Sequence, residues 1–196
     1  GIDLYSDEVY QKARENFDLF QKDGYLVQDK TKNFYLYKQI WKDHEQIGLV
    51  AGASAQDYQD DIIKKHEYTR EEKEKDRIRH IESLDANTGP VFLTFKHKDS
   101  IDALFAKAME KEPEYDFVKK DVRHIFYVID DPALIAEIKS EFANVDFLYV
   151  ADGHHRSASG THVKVKRQKA NPNHTGDEEY NFFLSVIFPD NQMKIL

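Results

Sequence analysis

Residues 152–156 read Asp-Gly-His-His-Arg, and they follow directly on the apolar run Phe147–Val150. An apolar run that stops at four ionisable side chains around one glycine describes a strand, a sharp turn and a helix start. Gly153 lets the main chain turn tightly and lets a ligand approach it closely. The first N–H groups of a helix lack intrahelical partners and lie at the positive end of its dipole, so they attract anions. Arg156 adds a planar fork suited to phosphate or carboxylate oxygens. His154 and His155 donate hydrogen bonds and titrate near neutral pH. These features converge on a phosphate or another anion. Asp152 fits that ligand only by binding Mg²⁺ or by accepting a proton from a substrate hydroxyl. Two simpler readings compete. Adjacent histidines diverge on a helix and seldom chelate one metal together. A purely structural turn, with Asp152 capping the helix and Arg156 paired to a surface carboxylate, explains the same residues without a ligand.

A second dense stretch is KKHEYTREEKEKDR, residues 64–77. If it is helical, His66, Arg70, Lys73 and Arg77 form one cationic stripe, with Glu67, Glu71 and Glu74 beside it. For Glu71, Glu72, Lys73 and Lys75 a solvated face held by weak i,i+4 pairs is the better reading. HEYTR begins like the zinc motif HExxH, but Arg70 stands where the second histidine belongs, which rules out that arrangement. His66, Glu67, Thr69 and Arg70 still gather a base, a hydroxyl and an anion clamp within a few residues. His44 (in an expected hairpin loop), His80, His97 and His174 read as surface residues. His124, at a strand start, and His162, just beyond the motif, stay open. Phe34, Tyr35, Tyr37, Phe182 and Phe183 read as core.

The elements that must position these groups can be read from pattern. Ser6 to Gly24 reads as a capped helix over 7–22, with Val9, Ala13, Phe17 and Phe20 on one face. NFYLYKQIW and IGLVAGAS form a hairpin around KDHEQ. Residues 56–85 read as one long or broken helix. GPVFLTF is a strand with Pro90 at its start, and a helix capped by Asp99 or Ser100 follows. VRHIFYVID is a strand, and Pro132 opens a helix running to about Phe142. DFLYVA delivers the motif, a helix runs from His154 to about Lys169, and NFFLSVIFP is a last strand. The expected fold is α+β or mixed α/β, a single domain built on a mixed sheet.

The 196 residues carry a formal net charge of −8, 40% hydrophobic residues and no cysteine. The chain therefore folds, has no thiolate metal site, and lacks the basic footprint of a nucleic-acid binder. No apolar run reaches the roughly 20 residues of a membrane span. A soluble cytoplasmic protein is the expectation. The ends, Gly1 without a methionine and the apolar NQMKIL, suggest the central part of a longer protein.

YVADGHHR, preceded by IKKHEYTREEKEKDR and followed by YNFFLSVIFPDNQMKIL, resembles a bacterial and archaeal family described only as a domain of unknown function. The likeness covers essentially the whole chain. DGHHR after a strand is also similar to the ADP-dependent free-serine kinases, whose fold is like that of the nucleotide-binding domain of ParB and of sulfiredoxin. The resemblance implies that Gly153, His154, His155 and Arg156 contact phosphates, with Asp152 near a metal or the substrate hydroxyl. It implies Mg²⁺ with ADP or ATP as the cofactor. Glu67 is the candidate base, Asp152 and His155 the other candidate catalytic residues, and His66, Thr69 and Arg70 the candidate substrate contacts. The expected function is a small-molecule phosphotransferase acting on an amino-acid-type hydroxyl. The alternatives are a nucleotide-binding switch and a metal-dependent hydrolase using His66, Glu67, Asp152 and His154. The charged helix offers a surface for a homodimer.

Overall fold

The first helix, α1 (Asp7–Lys22), ends as its sequence predicts. The Tyr25 N–H bonds the Phe20 carbonyl, the Gly24 N–H bonds the Gln21 carbonyl, and Gly24 takes φ +77°. The Phe20 and Tyr25 rings meet edge-on beneath this reversal, the apolar contact that accompanies a Schellman cap. Ser6 stands at the N-cap, yet its hydroxyl accepts no capping bond.

The computed structural model describes residues 3–194. After α1 come β1 (Phe34–Trp41), β2 (His44–Ser54), α2 (Ala55–Gln59), β3 (Ile63–Lys64) and α3 (Glu71–Leu84). Next are β4 (Val91–Phe95), α4 (Asp99–Ala108), β5 (Tyr115–Lys119), β6 (Val122–Ile129) and α5 (Pro132–Phe142). The chain continues with β7 (Leu148–Asp152), α6 (His154–Ala170) and β8 (Phe182–Pro189). The strands form one mixed sheet in the order β3-β7-β4-β8-β2-β1-β6-β5. β3–β7 and β4–β8 are parallel, and the other neighbours are antiparallel. The mixed α/β class expected from the sequence is the one found. No described helix is long and apolar enough to cross a membrane.

Directly paired residues share a sheet face, so the register identifies the core side. Leu36 opposes Leu49, Leu49 opposes Ile187, and Leu93 opposes both Ile187 and Val150. Ile101 and Phe105 of α4, Leu134 and Ile138 of α5, and Ala158 of α6 close over this face. On β1, therefore, the core residue is Leu36, while Tyr35 and Tyr37 stay half-buried on the other side. Phe183 is core and Phe182 is exposed.

Four sequence expectations need correction. His44 opens β2 instead of lying in a loop, because Lys42 takes φ +56° and the hairpin turns in two residues. Residues 56–85 are not one long helix but are broken, with β3 and an irregular segment between α2 and α3. Ile63 is buried at the sheet edge as β3, and residues 65–70 are irregular, with a bend at Glu67, before α3 begins. The cationic stripe therefore does not form, since His66 and Arg70 precede the helix. Neither Asp99 nor Ser100 caps α4; Lys98 holds that place without a side-chain bond. Finally, β5 is an additional exposed strand, joined to β6 by Lys120 and Asp121, both at positive φ.

Helix α6 lies close against the sheet at Gly160, where a Cβ would stand 2.9 Å from the Phe183 Cβ. Alanine gains about 1 kcal/mol over glycine in a helix, but this contact is near the backbone and cannot swing away. Overpacking at such a site costs about 1–3 kcal/mol. Gly160→Ala is therefore expected to lower stability in urea unfolding despite its better helix propensity.

Candidate functional site

Strand β7 ends at Asp152, and Gly153 turns the chain into α6 at φ +96° and ψ +26°. A Cβ at Gly153 would meet the Val91 Cα at 3.3 Å, so both the conformation and the space favour glycine. The Gly153 carbonyl accepts from the N–H groups of Arg156 (2.8 Å) and Ser157 (3.1 Å). The N–H groups of His154 and His155 are left at the positive end of a 17-residue helix, where helix geometry offers them no acceptor.

The two histidines diverge as successive helical residues do. His154 turns inward and is 4% exposed, with its Nε2 buried and without a hydrogen-bond partner. His155 faces the segment 65–70, and its Nε2 accepts from the Arg70 N–H at 3.1 Å. Arg156 lies against the start of β4. Its Nη1 donates to the Pro90 carbonyl (3.0 Å) and stands 3.8 Å from an Asp152 carboxylate oxygen. The Asp152 side chain is 77% exposed and available to a ligand.

Although it is not helical, residues 66–70 come to this helix start. The Glu67 Oε2 stands 3.6 Å from the His154 Nδ1. The His66 ring meets the His154 ring edge-on at 4.4 Å. Burial holds the His154 imidazole below its usual pKa, and His66 pushes the same way, while Glu67 and Asp152 oppose them. His154 is therefore held toward the neutral form. The Thr69 hydroxyl donates to the Glu74 carboxylate on α3. Glu74 is 14% exposed and lies 3.6 Å from His162 Nδ1. Its backbone carbonyl accepts from the Ser159 hydroxyl of α6. Glu74 thus ties the segment 65–70 to both helices, a role that its place in a run of charges gave no means of predicting.

The structure brings Glu67, His66, Arg70, His154 and His155 together, with Gly153, Asp152 and Arg156 on the adjoining rim. It places Thr69 alongside, with its hydroxyl occupied by Glu74. His124 lies elsewhere, stacked on Tyr37 and Phe117 at the far side of the sheet. A cleft of about 1140 Å³ also lies elsewhere: Leu49, Ile187, Ile138 and Phe142 line it together with charged residues that include Asp29, Lys32, Asp57 and Glu179, and no residue of 65–70 or 152–156 does. The β7–α6 turn is the candidate site because a buried imidazole without a hydrogen-bond partner there faces a carboxylate.

If His155 anchors the segment, His155→Ala frees the Arg70 amide. That amide is expected to exchange hydrogen with solvent at least ~10-fold faster, with the core amides of β4 and β8 unchanged.

A family model described as "Protein of unknown function (DUF1015)" matches residues 2–196. The chain belongs to the DUF1015 family. No curated protein and no solved structure matches it. In this DUF1015 chain the candidate site therefore rests on geometry: a helix start at a glycine turn, a guanidinium on its rim and a carboxylate facing a buried imidazole.

Proposed function

We propose that this DUF1015 protein is a nucleotide-dependent phosphotransferase acting on the hydroxyl of a small amino-acid-like acceptor. The observation that carries this reading is the meeting of the Glu67 segment with the N-terminus of α6, which sets a carboxylate beside an anion site. The β7–α6 unit is then the counterpart of the phosphate-binding turn of the serine kinases and of the ParB- and sulfiredoxin-like proteins. The setting is the cytoplasm, and the substrates are a soluble nucleotide and a soluble acceptor.

The N–H groups of His154 and His155 and the Arg156 guanidinium hold the phosphate oxygens. They neutralise charge that spreads over those oxygens during transfer. Gly153 keeps the turn that aims these groups, because a Cβ there would press on the Val91 backbone. Asp152, exposed and offering hard oxygen ligands, is suited to Mg²⁺ arriving with ADP or ATP, and the ion supplies further charge neutralisation. Glu67 takes the proton of the acceptor hydroxyl. The hydroxyl oxygen bonds phosphorus while the bond to the leaving nucleotide oxygen breaks, so ADP yields AMP or ATP yields ADP. General-base assistance of this kind contributes about 10²–10⁴-fold.

The test is ³¹P NMR of the protein with Mg·ADP or Mg·ATP and hydroxyl acceptors, L-serine first. A new phosphomonoester signal growing as the nucleotide is consumed supports the proposal. Nucleotide that binds but is not consumed across the acceptor panel overturns it in favour of a nucleotide-binding switch.

A further inference from the structure

His66, Glu67 and His154 each offer a ligand atom, and these atoms all lie within 4.8 Å of one another. The set is two imidazoles and one carboxylate. Mg²⁺ and Ca²⁺ prefer oxygen ligands, whereas imidazole suits Zn²⁺, Co²⁺, Ni²⁺ and Fe²⁺. Three protein ligands also leave one or more positions open, as in catalytic rather than structural zinc sites. A tetrahedral ion with ligands at about 2.1 Å sets the ligand atoms roughly 3.4 Å apart. The gap left to close is small. It falls to His66 and Glu67, which are exposed and outside any helix or strand, while His154 is fixed in the helix.

A second observation points the same way. His154 is buried, yet neither ring nitrogen is hydrogen-bonded among the described residues: Nε2 has no partner, and Nδ1 stands 3.6 Å from Glu67. Leaving a buried polar group unpaired costs about 1–3 kcal/mol, so a native site keeps such a group for a reason. A neutral imidazole carries one bare lone pair, and a cation at this cluster is the partner that lone pair takes.

We propose that His66, Glu67 and His154 bind one borderline divalent transition-metal ion, Zn²⁺ or Co²⁺ in chemical class, with open coordination beside the N-terminus of α6. Asp152 is not among the ligands. The metal site is separate from any Mg²⁺ that accompanies a nucleotide and does not depend on the phosphotransferase reading.

The experiment is titration of the chelator-treated chain with Co²⁺ and Zn²⁺ without nucleotide, followed by calorimetry and by the visible absorption of bound Co²⁺. The expected result is one tight equivalent, with absorption bands of a four- or five-coordinate ion. His66→Ala and Glu67→Gln, both on exposed side chains, are expected to weaken binding by more than the ~10–100-fold lost with an outer-shell partner. His174→Ala, in the loop beside Tyr180, should bind as the parent does. Circular dichroism confirms that each variant is folded. Absence of a saturable equivalent, or an equivalent that survives both ligand variants, overturns the proposal. Because nucleotide is absent, either outcome leaves the nucleotide site to its own test.

Discussion

Gly153→Ala is expected to abolish saturable nucleotide binding and to lower stability by about 1–3 kcal/mol. The two effects have one origin. At φ +96° an L side chain is strained, and the new Cβ would press on the Val91 backbone at 3.3 Å. Val91 is fully buried in the middle of the sheet and cannot retreat. The strain is relieved only by moving the turn, and the turn sets where the N–H groups of His154 and His155 point. Calorimetric titration with Mg·ADP measures the first effect and urea unfolding the second. A variant that loses stability but binds as before would show that the helix start is not the phosphate site.

Glu67→Gln has the opposite signature. The side chain is 62% exposed, so the isosteric change should alter stability by no more than about 0.5 kcal/mol. Binding of Mg·nucleotide should persist, since the anion contacts come from α6. The turnover number is expected to fall by about 10²–10⁴-fold, with KM for nucleotide within a few-fold of the parent. Steady-state kinetics with the acceptor found by ³¹P NMR checks this. Unchanged turnover would remove Glu67 as the base.

The motif, the turn and the helix after it were legible because each carries a local signal. β7 shows as an apolar run, Gly153 as a break, and α6 as a long stretch without proline, interrupted only by Gly160. The same holds for α1 and for α5, whose Asp131 accepts from the Ala133 N–H. The path of residues 65–70 was not legible. β3 is two residues long and forms only because β7 pairs with it. The bond from Arg70 to His155 joins residues 85 apart in sequence. Nothing local tells a charged helix from a charged irregular segment when apolar periodicity is weak. β5 was missed for a related reason: all five of its residues are exposed, so no burial alternation marks it. Its turn uses Lys120 and Asp121 at positive φ instead of the Asn-Gly pair that signals such hairpins. Nor does sequence say which of two adjacent histidines is buried, because that is set by the phase at which a strand becomes a helix. The contrast between His154 and His155, which defines the site, exists only in the fold.

The central claim is that nucleotide phosphates bind where segment 66–70 meets α6. Amide chemical-shift mapping of the ¹⁵N-labelled chain during titration with Mg·ADP tests it most directly. The predicted result is saturating shifts that begin at Gly153, His154 and His155 and extend to Glu67 and Arg70 across the hydrogen bond between segments. Shifts confined to the residues around the 1140 Å³ cleft, such as Leu49, Ile138 and Ile187, or no saturable shifts, would contradict it.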